Sequence, residues 1–166
     1  MTCNRIVVSN TSPVSNLAAV DRLDLLREVF GRVIVPQAVF VECTAAGAGQ
    51  LVADRIRVQA WIETRDVADR ALVTQLRREL DAGEAEAIAL AIELKADRLL
   101  LHERLGRAVA ARFSLPVIGL LGVLVLAKQR GHIPAVKLVL DDLIGVAHFW
   151  IGADLYAHVL HTAGEA

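Results

Sequence analysis

The stretch that most restricts how this chain can fold runs from Leu80 to Arg112. It reads as a helix, a short buried strand and a second helix. Asp81 is placed to cap the first helix, and Ala85 through Leu94 are almost all strong helix formers. Glu86 and Glu93 are seven apart, share one face and mark its wet side. Glu84 falls elsewhere, in line with Ala87, Ile88 and Ala91 at spacings of three, four and seven. A carboxylate on an apolar stripe needs a partner, because burying it alone is expensive. That partner could be an arginine, a helix N-terminus or a metal ion. The strand Arg98–Leu101 is a continuous apolar run, the pattern of a sheet covered on both faces. His102, Glu103 and Arg104 follow where the next helix begins. Ligands of open α/β sheets collect outside the carboxyl ends of parallel strands, which puts Glu103 at the functional edge, with Glu84 near it.

The 166 residues suit one domain spanning 1–166 with a full core. A hydrophobic content of 55% and a mean hydropathy of +0.47 are high for a soluble domain. The excess could fill a large core, a buried dimer face or a membrane span. Leu115–Ala127, the longest apolar stretch, holds 13 residues with two glycines and is too short to cross a bilayer. It reads as a buried strand and helix, so no membrane association is expected. No basic start followed by a long apolar segment marks a secretory signal. Cys3 and Cys43 form no framework and have no metal spacing with histidines, which favours a reduced, cytoplasmic setting. With 18 basic and 19 acidic residues the net charge is −1, which excludes a broad DNA-coating surface but not a local nucleic-acid groove. Aromatic residues make up 4%, which argues against recognition by stacking many bases.

Taken in order, Arg5–Ser9 is the expected first strand, with Asn10-Thr11-Ser12-Pro13 at its carboxyl end. Ser12 suits an N-cap, with Pro13 at the first helical position of a helix through Val20. Asp21 opens another helix, ended by Gly31. Val33–Val35 is a second strand, and Pro36 opens a helix in which Glu42 shares an apolar line with Ala38, Val39 and Cys43. Gly47-Ala48-Gly49 breaks the chain before a short helix at Gln50–Ile56, and Val58–Thr64 is a third strand. An exposed helix over 68–79 precedes the central unit. Pro116–Ile118 is a last strand, and helices follow over 119–130, 134–146 and 154–161. Strands alternating with helices predict a three-layer α/β/α sandwich on a mostly parallel five-stranded sheet.

Several chemistries lack their signatures. There is no Walker A sequence, no G-x-G-x-x-G after the first strand and no G-x-S-x-G elbow. A phosphorylatable receiver domain has a similar sheet, but strand one here lacks paired aspartates. The five histidines are scattered; His158 and His161 have a spacing compatible with a metal, although such histidines are more often surface residues. Gly119 and Gly122 suit close helix–sheet packing rather than phosphate binding. What remains is a dispersed set of oxygen donors: Asn10, Glu42, Glu84 and Glu103. Taken singly, each glutamate suits a solvated or salt-bridged position. Together they would repel one another unless a cation sat among them, and a hard divalent ion takes oxygen ligands and often works on phosphates. Arg104 and Arg107, one helical turn apart, could contact substrate or neutralise the glutamates. Thr11 and Ser12 could bind phosphate at a helix N-terminus.

At this point the chain resembles the PIN-domain superfamily, and within it a prokaryotic PIN-like branch related to VapC-type toxins. The resemblance rests on Val-Ser-Asn-Thr-Ser-Pro (8–13), Arg-Leu-Asp-Leu-Leu (22–26), and Val-Pro-Gln-Ala-Val (35–39) with Glu42. It continues through Leu-Asp-Ala-Gly-Glu-Ala-Glu-Ala-Ile (80–88), Leu-Leu-Leu-His-Glu-Arg-Leu-Gly-Arg (99–107) and Pro-Val-Ile-Gly-Leu-Leu-Gly (116–122). No single piece is specific; their order and spacing are. The resemblance implies a five-stranded parallel sheet and a Mg²⁺- or Mn²⁺-dependent ribonuclease acting on RNA, often inhibited by a cognate antitoxin. Asn10, Glu42, Glu84 and Glu103 would then hold the ion, the three glutamates being the catalytic set. The chain departs from the family pattern at Asn10, where PIN nucleases usually have Asp, and at His102-Glu103-Arg104, where relatives tend to have Asp-Asp-Arg. Those departures support the alternative of a catalytically weakened scaffold that binds RNA or protein. The apolar excess adds an expectation of a homodimer, through helices around Leu120–Leu126 or Val136–Leu143.

Overall fold

The structure, a computed structural model, describes residues 4–165, so Cys3 lies outside the described residues. The strands are β1 (Val7–Ser9), β2 (Val33–Pro36), β3 (Ile62–Arg65), β4 (Arg98–Leu100) and β5 (Val117–Ile118). All pairings are parallel, in the order β3-β2-β1-β4-β5. The helices are α1 (Thr11–Ala19), α2 (Asp24–Phe30), α3 (Gln37–Thr44), α4 (Gln50–Arg57), α5 (Arg70–Leu76), α6 (Ala82–Leu94) and α7 (Arg104–Arg112). They are completed by α8 (Leu120–Gln129), α9 (Val136–Gly145) and α10 (Ala153–Thr162).

Register explains the three layers. Val8 lies opposite both Ile34 and Leu99, and Leu99 lies opposite Val117, so one row of side chains crosses the sheet on a single face. That row meets α5, α6 and α7 through Val73, Leu76, Ile88, Leu90 and Val109. The alternate residues Val7, Val33, Val35 and Leu100 point to the opposite face, against Leu17, Leu26, Leu124, Val139 and Leu140 of α1, α2, α8 and α9. Because successive strand side chains alternate, a sheet buried on both faces needs the unbroken apolar strands this chain has. The apolar excess thus fills two cores. Among the described residues no helix is long and apolar enough to cross a membrane.

Several expected boundaries shift for identifiable reasons. The first helix starts at Thr11 with Asn10 as N-cap, not at Pro13 with Ser12 as N-cap. Pro13 is tolerated at the third helical position because the first four N–H groups of a helix have no intrahelical partner anyway. Asp21 sits at φ +57° in the turn before α2, which begins at Asp24. Val58 ends α4 instead of opening a strand, so β3 is confined to Ile62–Arg65. The helix expected over 68–79 contracts to α5, capped by Asp69.

One correction concerns energetics. Glu86 does not mark a wet face; it is 7% exposed. Its Oε1 accepts the Ala38 N–H at 3.3 Å, and its Oε2 lies 3.6 Å from Nη1 of Arg70. Helix α3 has no side-chain cap of its own, since Pro36 occupies the N-cap. Glu86 therefore supplies, from α6, the acceptor and negative charge that the α3 N-terminus lacks. Glu93, a turn and more further on, stays exposed and accepts from Ala68 N. Glu86→Ala is expected to lose about 1–2 kcal/mol, a fall in Tm of about 5 °C, by thermal denaturation. Glu86→Gln, which keeps an acceptor for Ala38, should recover about half of that. Arg70→Ala should cost less than about 0.5 kcal/mol, because the Arg70 side chain is 61% exposed.

Candidate active site

The chain enters the sheet at its middle strand, β1, adds β2 and β3 on one side, and then crosses over to place β4 and β5 on the other. The switch in direction falls between β1 and β4, where the loops leaving the two strands diverge and open a crevice. Asn10 follows β1 directly, and its N–H donates to the Leu100 carbonyl at 3.0 Å, extending the ladder by one bond. His102 and Glu103 follow β4 on the other side of the crevice.

Asn10 is 4% exposed and is the N-cap of α1. An asparagine there ordinarily accepts an N–H from the first turn. It makes no such bond, and its Oδ1 is buried without a hydrogen-bond partner. Glu84, 6% exposed, closes a capping box with Asp81 at the start of α6. Its N–H donates to Asp81 Oδ1 at 2.8 Å, and its Oε2 accepts from Asp81 N at 3.4 Å. The second oxygen, Oε1, is buried and unpartnered. Asn10 Oδ1 and Glu84 Oε1 are the two buried side-chain polar atoms without a partner among the described residues. Buried polar groups are rarely left so, and each unsatisfied one requires an explanation.

Glu42, half-buried on α3, is held from two sides. It accepts the Thr11 hydroxyl at 2.5 Å through Oε2 and the Gly83 N–H at 3.1 Å through Oε1. Thr11 opens α1 and Gly83 lies in the first turn of α6, so the carboxylate bridges two helix N-termini, whose dipoles favour negative charge. A β-carbon at position 83 would stand 2.6 Å from Glu42 Oε2, so any residue but glycine there must displace that carboxylate. Gly106 plays the same part in α7, where a β-carbon would stand 3.1 Å from Glu84 Oε1 and 2.9 Å from Leu101 Cδ2. Glu103 is the exposed N-cap of α7, and its side chain makes no cap hydrogen bond.

The electrostatics agree with this crowding. Burial pushes the Glu84 carboxyl above its ordinary value near 4.5, and the negative charges of Asp81, Glu103 and Glu42 push it further, against the Asp81 backbone hydrogen bond. Beneath Glu42, burial and the Glu42 charge push the Cys43 thiol up to about 12, so it is inert packing. Among the described residues no three His, Cys, Asp or Glu side chains converge as a ready metal cage. The donors nearest to that role are the two unpartnered oxygens, one of them a carboxamide. An all-oxygen set containing one carboxylate suits a hard, partly hydrated divalent ion, which keeps several waters and needs one or two carboxylates.

Arg104 and Arg107 are exposed on the first turn of α7 and form no ion pair among the described residues, so neither neutralises a glutamate. Arg107 reaches across to α8, with Nη1 2.7 Å from where a Gly119 β-carbon would stand. With His102 it lines a cavity of about 390 Å³. Thr11 and Glu42 line a second cavity of about 360 Å³. Of the two expected phosphate contacts, Thr11 donates its hydroxyl to Glu42, whereas Ser12 Oγ only accepts, from Asn16 Nδ2 at 2.9 Å, and keeps its O–H to donate. Sequence reasoning missed Gly83, Gly106 and the clamping role of Thr11. The glycine directly before Glu84 was the available signal. His158 and His161 are exposed on α10, away from this set.

Two comparisons with known proteins are empty: no curated protein and no solved structure matches the chain. A third is not. A family profile described as a PIN domain matches residues 6–165. That span takes in all five strands and every residue of the crevice described above, and the chain belongs to the PIN-domain family.

Proposed function

We propose that the protein is a divalent-metal-dependent endoribonuclease that hydrolyses RNA phosphodiester bonds, folded as one domain over 1–166. The observation that carries this reading is the pair of buried, unpartnered oxygens, Asn10 Oδ1 and Glu84 Oε1, at the crevice where β1 and β4 diverge. Mg²⁺ or Mn²⁺ would be held by Glu84 and Asn10, with Glu42 and Glu103 completing the negative wall. A divalent ion there supplies polarisation of the phosphodiester and acidification of water. The chain does the rest. Thr11 and Gly83 fix the Glu42 carboxylate, the Asp81 capping box fixes Glu84, and the exposed Glu103 stays free at the rim. Arg104 and Arg107, with no acidic partner among the described residues, contact the phosphate backbone, and Ser12 adds a hydroxyl at the N-terminus of α1. Cellular work as the toxin of a toxin–antitoxin pair, with a cognate antitoxin and a homodimer, extends the same reading from the resemblance to VapC-type proteins.

A second reading has its own observation. No three acidic side chains are arranged among the described residues so as to hold a metal ion, and Asn10 and His102 stand where family members usually carry aspartates. A scaffold that binds RNA or protein without cleaving it fits those facts.

Incubation of single-stranded RNA with Mn²⁺, Mg²⁺ or EDTA separates the two. Metal-dependent cleavage is expected, and Glu84→Gln should lower it by about 100-fold or more. Asn10→Asp adds a negative donor and should enlarge the rise in Tm that Mn²⁺ produces. Silence from the parent and Asn10→Asp, both folded, would establish the scaffold reading. Gly83→Ala tests the Glu42 clamp: stability should stay within about 1 kcal/mol, since alanine is the better helix former, while cleavage falls as Glu42 is displaced.

The Glu84 shift fixes a pH dependence for the metal-free protein. A carboxyl whose folded pKa is raised holds its proton longer in the native state than in the unfolded one. Its stabilisation is complete below about 4.5 and is lost as pH rises through the raised value. At pH 7 in EDTA, Glu84→Gln should therefore melt about 2–4 °C higher than the parent, and the gap should close below the ordinary glutamate range. Equal melting at both pH values would show that Glu84 carries no such strain.

A further inference from the structure

One face of helix α8 is left partly open. Leu121 and Val125 are one turn apart on it. With Leu126 and the β5 residue Ile118 they stay half-buried, while Leu120, Val123, Leu124 and Ala127 are sealed into the core. Gly122 lies among them. A β-carbon there would stand 2.9 Å from Ile118 Cγ1, so the missing side chain lets α8 come this close to β5 without displacing Ile118. Helix α10 supplies the opposite wall through His158, Val159 and Thr162. Between the two helices runs a groove of about 400 Å³, beside a strand that is the last in the sheet.

The polar residues on its walls are Arg98, Gln129, His158 and Thr162, and among the described residues that line it none is acidic. Arg98 opens β4, at the end of the strand away from His102, and shares the α8 face with Leu100 two residues on. One of its N–H groups donates to the Asp97 carbonyl at 3.0 Å. A guanidinium has five, and no ion pair takes the others among the described residues. The adjacent Asp97 carboxylate accepts the Ile6 N–H at 2.7 Å. With Arg5 and Asp97, Arg98 also lines a second, polar cavity of about 200 Å³, so two guanidiniums gather against one carboxylate at this end of the groove. An apolar floor with unopposed positive charge at one end fits an occupant with an apolar body and an anionic head. Size decides its kind. From Leu121 to Gln129 the floor is about 12 Å long, little more than two helical turns. A stable protein interface engages about 20–30 residues a side, and this groove is lined by ten. Its volume falls instead in the range of small-molecule sites, about 300–1,000 Å³.

We propose that the groove between α8 and α10 binds a medium-chain carboxylate, with the alkyl chain along Leu121, Val125 and Leu126 and the carboxylate paired with Arg98. The site does not depend on the ribonuclease reading above. The cavity of His102 and Arg107 adjoins its other end through Ile118 and Leu121, but Arg107 does not line the groove and Arg98 does, which sets the direction of the ligand. The groove also separates the two histidines of α10 whose spacing resembles a metal pair. His158 lines it and His161 does not, so the two do not serve one ligand.

The test titrates decanoate, decanol and acetate, each below any micelle-forming concentration, into the full chain by calorimetry. Decanoate is expected to saturate a single site, with amide shifts in nuclear magnetic resonance spectra confined to the surroundings of Gly122, Val125, Gln129 and Thr162. Decanol, which lacks the charge, should bind about tenfold more weakly, and acetate, which lacks the chain, should give no saturable binding. Arg98→Glu should weaken decanoate about tenfold or more, and Arg98→Lys should retain most of the affinity, with decanol indifferent to both. Arg98 is exposed, so these variants fold even if the groove-filling Val125→Phe, which should abolish the site, does not. Absence of saturable decanoate binding overturns the proposal. Equal affinity for decanol and decanoate, an affinity unchanged in Arg98→Glu, or a loss in Arg107→Ala in its place overturns it as well. A parent dimer that becomes a monomer in folded Val125→Phe by light scattering assigns the groove to a second copy of the chain and also overturns it.

Discussion

The structure turns on negative charge that has been brought together and partly buried where the sheet changes direction. Glu84 sits among Asp81, Glu103 and Glu42, loses water to the core on one side, and answers by holding its proton above the usual range. Such an arrangement works against folding, since burial and like charge act in the same direction. It persists because the surroundings determine it from several sides. The capping box places Glu84, two helix N-termini place Glu42, and the parallel ladder places Asn10 opposite Leu100. Each of these contacts belongs equally to the fold. The crevice cannot be relaxed without uncapping a helix or breaking the sheet.

The same logic explains why the supporting residues are small or hydroxylic. Gly83 and Gly106 stand where the β-carbon of any other residue would meet a carboxylate oxygen within 3.1 Å. Thr11 spends its hydroxyl on Glu42. Glu86 shows the contrasting outcome two residues further along α6: its carboxylate is as buried as that of Glu84, yet both oxygens have partners, in the Ala38 N–H and Arg70. Two buried glutamates on one helix thus divide by satisfaction. One is spent on structure and the other keeps an oxygen in reserve.

The layers were legible in the chain because continuous apolar strands such as Leu99–Leu101 have few other uses. The Glu84 line and the Asp81 cap could be read because a helix repeats every 3.6 residues, so local spacing carries spatial meaning. Glu86 was misread for the same reason. Its spacing to Glu93 is a true helical repeat, but the N-terminus of α3 crosses α6 at Glu86 and not at Glu93, and nothing local records a crossing. Ser12 was misread as a cap because strand β1 runs into α1 with only Asn10 between them. The steric demand on Gly83 arises from Glu42, 41 residues away (83 minus 42), and that on Gly106 from Leu101 at the end of the preceding strand together with Glu84, 22 residues away (106 minus 84), so neither leaves a periodic trace.

Asn10 can be understood through the balance between repulsion and coordination. A carboxylate at this position would add a fourth negative charge around Glu84, to Asp81, Glu103 and Glu42, and lift its pKa further in the absence of a cation. The carboxamide avoids that cost while leaving an oxygen in place, still buried and still unpartnered. Oxygen donors without charge bind hard cations more weakly but select for them no less, since coordination number and oxygen type are preserved. On the proposed metal-dependent reading, Asn in place of Asp would therefore exchange cation affinity for stability of the ion-free protein. That exchange would set how much free ion the site needs, while the capping box, the Glu42 clamp and the parallel ladder do not depend on it.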